Sequence, residues 1–358
     1  MLPMAAWSSD RSFFAQEDLF NQGENHVHTY RIPALLETRK GVLLAVADAR
    51  PDDNHDLPAH ISLVIRRSFN HGKDWEPAHT LQAVKEGGVG DSSLLLDRSN
   101  GRVWCFFNYG PPGIGFHNAL PGAVTGPTTL QLHAIYSDDD GATWSEPVDL
   151  TPQVKDPAWQ AMFAASGTDI QTSTGRFLVP LVVRDGHHVI HSVNAYSDDH
   201  GKTWKVGEFI GVGTDENHNV ELKDGVILQN MRSGKTRSIA RSHDGGVTFE
   251  PVTHDPALID AICNAGITRY RFGKTDAILF TNSASNVRRE NLTVKVSYDG
   301  GRTWPLSRTI NAGPSGYSTV IPLKDGNIGV LYERGEATEE ERITFARFNL
   351  AWVKEKHK

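Results

Sequence analysis

The 358-residue chain contains only two cysteines, Cys105 and Cys263. They are too few and too far apart for a disulfide scaffold or a structural zinc site. Cys105 lies in the apolar run 103–107, which predicts a buried core thiol. No stretch approaches the roughly 18 consecutive apolar residues of a membrane span, so we expect no membrane insertion.

Positive charge is also scarce, with 36 Lys plus Arg against 43 Asp plus Glu and a formal net charge of −7. This balance excludes a strongly basic nucleic-acid binder, and we expect no nucleic-acid partner. It leaves room for a local basic site that binds a small anion. Residues 1–14 lack a basic segment followed by an apolar one, so no signal peptide is visible.

Glycine and proline are plentiful, at 33 and 18 residues, and are spread along the whole chain. Many short elements joined by tight turns are typical of an all-β protein.

One short pattern, Ser-x-Asp-x-Gly-x-Thr-aromatic, recurs along the chain. Full copies occupy residues 137–144, 197–204, 242–249 and 297–304, and a degenerate copy occupies 68–75. In such a turn the Asp accepts backbone N–H groups, Gly supplies a positive φ, and the aromatic packs back on neighbouring strands. We therefore interpret the motif as a structural turn and not as a catalytic one.

A second pattern interleaves with the first: an apolar strand, a polar turn ending in glycine, and another apolar strand. Five copies are centred on Gly41, Gly101, Gly175, Gly225 and Gly326, and a looser copy spans residues 272–276. Six hairpins with five interleaved turns predict six four-stranded units, which bury their edges by radial closure. We expect an all-β, six-bladed β-propeller in one domain (1–358, core 18–353), closed by pairing of strand 343–348 with residues 13–20.

Three arginines stand near the ends of predicted strands: Arg31, Arg232 and Arg289. If they enter one channel from different blades, they form a focused positive site within an acidic protein. A planar guanidinium is suited to bidentate recognition of a carboxylate or a phosphate.

The motif 30–33 (Tyr-Arg-Ile-Pro), together with the repeated Asp-box turns, resembles the exo-α-sialidase (neuraminidase) family over about residues 18–353. The resemblance implies that Arg31, Arg232 and Arg289 bind the sialic acid carboxylate, with Arg288 as the neighbouring alternative to Arg289. It also implies that Glu333 holds the first of these arginines in place.

The same resemblance implies that Tyr317 is the nucleophile and Glu216 its activating acid, with Glu221 as a rival. A sialoside carries a carboxylate on its anomeric carbon, so an anionic nucleophile would approach a like charge at close range. A neutral tyrosine avoids this repulsion, and sialidases are an exception to the two-carboxylate rule of glycosidases. With an ordinary pKa near 10, the tyrosine needs a general base beside it.

The resemblance further implies that Asp56 is the acid/base, in a loop where Asp52 and Asp53 are neighbouring candidates. Asp56 would protonate the leaving oxygen and then deprotonate the incoming water. Arg50 and Asp91 resemble residues that contact the O4 and C5 substituents of the substrate.

These observations predict a retaining exo-α-sialidase that acts on sialylated glycans without a cofactor or a metal. The alternatives are a hydrolase for deaminated sialic acid or a related ulosonic acid, a trans-sialidase or intramolecular trans-sialidase, and a non-catalytic Asp-box propeller. No separate lectin domain is expected. The sequence does not indicate a compartment, although the family resemblance favours secretion.

Overall fold

The structure is a computed structural model that describes residues 11–355. Residues 1–10, which belong to the segment considered for a signal peptide, and residues 356–358 lie outside the described residues. The described chain folds into six antiparallel units of about four strands, which we call blades 1 to 6.

The strands follow in chain order. The first strand, β1 (Phe14–Asn21), belongs to blade 6, and a 3-10 turn (Glu24–His26) leads into blade 1. Blade 1 contains β2 (Thr29–Glu37), β3 (Leu43–Arg50), β4 (Ser62–Ser68) and β5 (His79–Gln82), and blade 2 contains β6 (Gly88–Leu96), β7 (Val103–Gly110), β8 (Gln131–Ser137) and β9 (Val148–Asp149). Helix α1 (Thr151–Val154) leads into blade 3, which contains β10 (Ala161–Ala164), β12 (Ile170–Gln171), β13 (Phe177–Arg184), β14 (Ile190–Ser197) and β15 (Lys205–Val206). The short strand β11 (Gly167–Thr168) precedes β12 in the chain and pairs with β6 of blade 2.

Blades 4 to 6 complete the ring. Blade 4 contains β16 (Asn217–Glu221), β17 (Ile227–Met231), β18 (Thr236–Ser242) and β19 (Thr253–Ile259). Blade 5 contains β20 (Gly266–Phe272), β21 (Thr275–Ser283) and β22 (Glu290–Ser297). Blade 6 contains β23 (Leu306–Pro322), β24 (Ile328–Arg334) and β25 (Arg342–Phe348), and helix α2 (Leu350–Lys354) follows it.

The long strand β23 serves two blades. Its first part pairs with β22 as the outer strand of blade 5, and from Ser315 onward it pairs with β24 as the inner strand of blade 6. A register shift between Ser315 and Ser318 marks the crossing and leaves Tyr317 at the start of the blade 6 segment.

The two ends of the described chain close the ring. Strand β1 pairs with β25 in antiparallel register, from Phe14 opposite Phe348 to Asn21 opposite Arg342. Trp352 of α2 covers this junction, with its ring 4.6 Å from that of Phe14. The predicted pairing of the two chain ends, and the six-bladed propeller itself, are confirmed.

The repeated turns have the predicted local chemistry. In blade 2 the Asp139 carboxylate accepts the backbone N–H of Thr143 at 2.8 Å and its hydroxyl at 2.7 Å, while Gly141 adopts a φ of 79°. The turn aromatic Trp144 packs against a core cluster shared by blades 1 and 2. Blades 1 to 5 carry such turns between their third and fourth strands, whereas the fourth strand of blade 6 is β1, which comes from the other end of the chain.

The hydrophobic core lies between neighbouring blades. Between blades 2 and 3, for example, the rings of Phe106 and Trp204 meet edge to face at 5.3 Å, with buried Phe177 and Val179 beside them. Burial of Cys105 in the next cluster confirms it as a core thiol and raises its pKa. Because the apolar faces are used between blades, the inner strand ends remain available for polar side chains.

Candidate active site

Charged residues from several blades gather at one edge of the ring. In an antiparallel blade the start of the first strand, the end of the second and the start of the third lie on the same edge. The residues predicted from the sequence occupy these positions: Arg31, Arg50, Asp91, Glu216, Arg232, Arg289, Tyr317 and Glu333. Asp56 lies in the loop that follows β3 on the same edge.

Glu333 links the first and last blades beneath the site. Its fully buried carboxylate accepts two hydrogen bonds from Arg31, from Nε and Nη2, each at 3.2 Å. It also accepts the backbone N–H groups of Ile32 and Tyr317, both at 2.9 Å. Ile32 adopts a φ of 62°, an unfavourable conformation for a β-branched residue, and its N–H in this conformation bonds Glu333.

Tyr317 and Glu216 form a direct pair. The Tyr317 hydroxyl donates to Glu216 Oε2 at 2.7 Å, and Arg232 Nη1 donates to both, at 2.6 Å to the carboxylate and 3.1 Å to the hydroxyl. Burial raises the pKa of Glu216, which Arg232 partly offsets. Burial, reinforced by the charge of Glu216, raises the pKa of Tyr317 well above its ordinary value. The hydroxyl therefore keeps its proton and donates it in the hydrogen bond to the Glu216 carboxylate.

The geometry separates the alternatives that the sequence left open. The guanidinium carbon of Arg289 lies 5.5 Å from the centre of the Tyr317 ring, and that of Arg31 lies 5.4 Å from the same ring centre. The neighbouring Arg288 is largely exposed and pairs with Glu290. The site therefore contains Arg289 and not Arg288.

Glu221 lies away from the tyrosine. It is at the far end of β16 from Glu216, and its carboxylate accepts the backbone N–H and the hydroxyl of Ser173. Glu216 is thus the carboxylate that the structure brings to Tyr317.

Asp56 is held by an arginine at the channel mouth. Arg50 Nη2 lies 2.7 Å from Asp56 Oδ1, and its Nη1 donates to the Asn54 carbonyl at 2.7 Å. Loss of hydration acts to raise the pKa of Asp56, but Arg50 and the more distant Arg31 outweigh it and the net pKa is lowered. All three aspartates of this loop are largely or half exposed, and they differ in their partners: Asp56 faces Arg50, whereas Asp52 and Asp53 face histidines of their own loop.

The Asp56 loop docks on three glycines. A Cβ at Gly115 would lie 2.2 Å from the Leu57 carbonyl oxygen, and one at Gly88 would lie 2.2 Å from that of Ala59. At Gly110 a Cβ would come within 3.4 Å of the Leu57 side chain. The missing side chains thus allow the loop to approach blade 2 closely and fix where Asp56 is presented.

Asp48 is a site residue that the sequence analysis missed. It is fully buried, lies 3.2 Å from Arg50 Nη2, and accepts the backbone N–H of Asp91 at 3.1 Å. Burial raises the pKa of Asp48 to about 7, with Arg50 opposing and Asp56 adding to the effect. Burial and the charges of Asp48 and Asp56 also raise the pKa of Asp91 well above its ordinary value.

Two glutamates of the loop between β24 and β25 also face the arginines. Glu339 Oε1 lies 3.5 Å from Arg289 Nη1, and Glu340 Oε1 lies 3.6 Å from Arg31 Nη1. Neither was predicted from the sequence.

Guanidinium and carboxylate groups make up the charged part of this site. Among residues 11–355, no group of three or more His, Cys, Asp or Glu side chains has a geometry that suits a metal ion. Within the same residues, no helix is both long and apolar enough to cross a membrane.

Comparisons with known proteins agree with this fold. A BNR repeat-like domain model matches residues 41–330. The chain is 38% identical to a sialidase of Micromonospora viridifaciens over 361 residues, which cover 95% of this chain but only 54% of that protein. It is 30% identical to an exo-alpha-sialidase of Arthroderma benhamiae, and this match covers 91% of the chain and 84% of that second protein. The solved structure of Hadza microbial sialidase Hz136 superposes with a TM-score of 0.87 at 30% identity, covering 94% of this chain and 69% of that one. The chain belongs to the sialidase family of BNR-repeat propellers.

Proposed function

We propose that this propeller is the catalytic unit of a retaining exo-α-sialidase that hydrolyses terminal sialic acids from glycoconjugates. The observation that carries the proposal is the 2.7 Å hydrogen bond from Tyr317 to Glu216, placed among three guanidinium groups. A phenol held on a carboxylate and surrounded by cations suits attack on an anomeric carbon that bears its own carboxylate. The similarity to sialidases supports the same reading.

Arg31, Arg232 and Arg289 bind the substrate carboxylate in this proposal. Their fixed positive charges orient the sugar, so that its anomeric carbon lies over the Tyr317 oxygen. Glu333 holds Arg31 from below through two hydrogen bonds, which leaves the Nη1 edge of Arg31 directed to the ligand side.

The first step forms the bond between Tyr317 Oη and the anomeric carbon. The phenolic proton passes to Glu216, while the bond from the anomeric carbon to the glycosidic oxygen breaks. The leaving oxygen takes its proton from Asp56, which is therefore required in its acid form at this stage.

The second step reverses these roles. A water molecule attacks the anomeric carbon and gives its proton to Asp56, the bond to the tyrosine breaks, and the phenol recovers its proton from Glu216. Two displacements at one carbon give net retention of configuration. In this proposal Arg50 and Asp91 contact the O4 and C5 substituents of the sugar ring.

The test is release of 4-methylumbelliferone from its α-sialoside by the wild-type protein and by Tyr317→Phe. We expect turnover by the wild type, a loss of at least about a thousandfold in kcat for the variant, and retained binding of sialic acid. Tyr270→Phe is the matched control, because Tyr270 is a buried tyrosine of blade 5 whose hydroxyl bonds the Gly326 carbonyl. The α-anomer should be the first product seen by NMR.

Other outcomes point to the alternatives. Faster turnover of the analogue with a hydroxyl at C5 would indicate a deaminated sialic acid as substrate, and a transfer or anhydro product would indicate a trans-sialidase. Equal behaviour of wild type and Tyr317→Phe, with no turnover by either, would contradict the enzymatic proposal and indicate a binding propeller.

A further inference from the structure

Two carboxylates of the protein lie against the arginines that are proposed to bind the carboxylate of the substrate. They are Glu339, 3.5 Å from Arg289 Nη1, and Glu340, 3.6 Å from Arg31 Nη1. Their side chains are 21% and 25% exposed, so both are in contact with solvent at the mouth of the site.

The loop that carries them, residues 335–341, is internally braced. The carboxylate of Glu341 accepts the backbone N–H groups of Glu336, Ala337 and Thr338 at 2.9, 2.7 and 3.1 Å. A Cβ at Gly335 would lie 2.0 Å from the Thr338 carbonyl oxygen, so the loop closes only around glycine. Such a loop presents its glutamates in a defined direction.

Neighbouring elements fix the position of Glu340 as well. Its carbonyl oxygen accepts the Thr29 hydroxyl at 2.6 Å, and its carboxylate Oε2 accepts Asn54 Nδ2 at 2.8 Å. The other carboxylate oxygen is the one that faces Arg31. Glu340 therefore spans the space between Arg31 and the loop that carries Asp56.

These contacts differ in kind from that of Glu333. Glu333 is fully buried and binds the Nε and Nη2 groups of Arg31 with two hydrogen bonds of 3.2 Å. Glu340 faces the remaining Nη1 group from a distance longer than a hydrogen bond, on the solvent side. The first contact positions the arginine, whereas the second lies on the edge that an incoming ligand would use.

We infer that Glu339 and Glu340 determine the affinity of the site by competing, charge against charge, with the carboxylate of the ligand for Arg289 and Arg31. The inference rests on the proposed function, in which these arginines bind that carboxylate. An anionic ligand must weaken two existing ion pairs and approach two like charges, which lowers its affinity. The released sialic acid carries the same carboxylate, so the two glutamates also favour its departure.

The test is to replace each glutamate with glutamine and to measure binding of the 2,3-unsaturated analogue of sialic acid and of its methyl ester by calorimetry. Glutamine keeps the shape of the side chain and an acceptor for Asn54. For Glu339→Gln and Glu340→Gln we expect the Kd of the acid to fall by about twofold to fivefold, typical of partly exposed charge pairs. The Kd of the uncharged ester should not change.

Glu336→Gln is the matched control. It removes the same charge from the same loop, and among the described residues the Glu336 carboxylate forms no ion pair with Arg31, Arg232 or Arg289. We expect an unchanged Kd for both probes, and thermal melts should show that all three variants are folded.

Each contrary outcome is informative. Weaker or unchanged binding of the acid by both variants would overturn the inference, because the glutamates would then hold the arginines in place or have no influence. Equal tightening of the acid and the ester would also overturn it, because the effect would not depend on ligand charge. A wild-type protein that binds neither probe would instead overturn the proposed function on which the inference rests.

Discussion

Replacing Glu333 with glutamine tests how far the site depends on one buried carboxylate. Glu333 accepts four N–H groups: Nε and Nη2 of Arg31 and the backbone N–H groups of Ile32 and Tyr317. These bonds join β2 to β23 across the closure between blades 1 and 6. Glutamine has nearly the same shape, so the substitution changes charge and hydrogen bonding without opening a cavity.

The expected loss in the free energy of unfolding follows from the N–H donors that bond Glu333. Oε1 of Glu333 accepts from Arg31 Nε and Ile32 N, and Oε2 accepts from Arg31 Nη2 and Tyr317 N. Whichever way the amide of glutamine is turned, two buried donors face another donor, at about 1–3 kcal/mol each. Removing one partner of a buried ion pair costs about 3–5 kcal/mol. We therefore expect a loss of about 4 kcal/mol from a total of about 5–15 kcal/mol.

The assay is denaturant unfolding together with steady-state kinetics on the sialoside. We expect the lower midpoint that this loss implies and a KM raised by at least about tenfold, because Arg31 is no longer held in place. Glu221→Gln is the control, since Glu221 bonds Ser173 near the surface, and it should lose less than about 1 kcal/mol with an unchanged KM. A loss below about 1 kcal/mol for Glu333→Gln, with KM unchanged, would refute the reasoning.

Three further predictions concern the loop, the acid and the repeated turns. Asp56→Asn should reduce kcat on sialyllactose far more than on the 4-methylumbelliferyl sialoside, whose leaving group needs little protonation; equal losses would argue against an acid role. Gly115→Ala should lower kcat at least tenfold by displacing Leu57, whereas Gly234→Ala, where a Cβ meets nothing within 4 Å, should leave it unchanged. The Asp139 hydrogen bonds lower its pKa to about 2, below the unfolded value of about 3.9, so its stabilisation is present above about pH 4 and is lost towards pH 2. Asp139→Asn should reduce this acid sensitivity in unfolding curves recorded from pH 5 to 2, and an unchanged slope would contradict the assignment.

The fold was predictable because the Asp-box turns that indicate it are specified by residues close together in the sequence. In each Asp-box turn an aspartate bonds N–H groups three or four residues ahead, as Asp199 does with Lys202 and Thr203. Such a motif specifies its turn without reference to the rest of the chain, and its regular spacing reveals the number of blades. Ring closure followed from counting, since the last blade lacked a turn of its own.

Three arginines of the site were marked by their positions near strand ends, but the roles of the site residues and their partners were predictable only through the family resemblance. Arg31 and Glu333 are 302 positions apart, and nothing local to either residue indicates that they meet. The choice between Arg288 and Arg289 needs the register of the strand, because side chains alternate between faces. The register shifts between Glu290 and Leu292 make that alternation unreadable from the sequence.

The sequence analysis missed Asp48, Glu339 and Glu340, and only Asp48 had a sequence pattern that could have indicated its role. Asp48 stands two positions before Arg50 in an otherwise apolar strand, and the period of two places both on one face, so a charge pair was readable there. The run 339–341 of consecutive glutamates has the composition of a solvated charge cluster. Its direction depends on the Glu341 carboxylate bracing the loop, which is a property of the folded chain.

The arginines connect ligand binding to the protonation of the proposed acid and base. Arg232 lowers the pKa of Glu216 against the effect of burial, and Arg31 and Arg289 contribute to the lowered pKa of Asp56. A ligand carboxylate bound to these guanidinium groups offsets their positive charge at both residues. The pKa of Glu216 then rises, which makes it a stronger base for the tyrosine proton, and the pKa of Asp56 rises, which favours the acid form that the first step requires. The carboxylate on the anomeric carbon would thus bring the sugar into position and also prepare both proton-transfer groups for reaction.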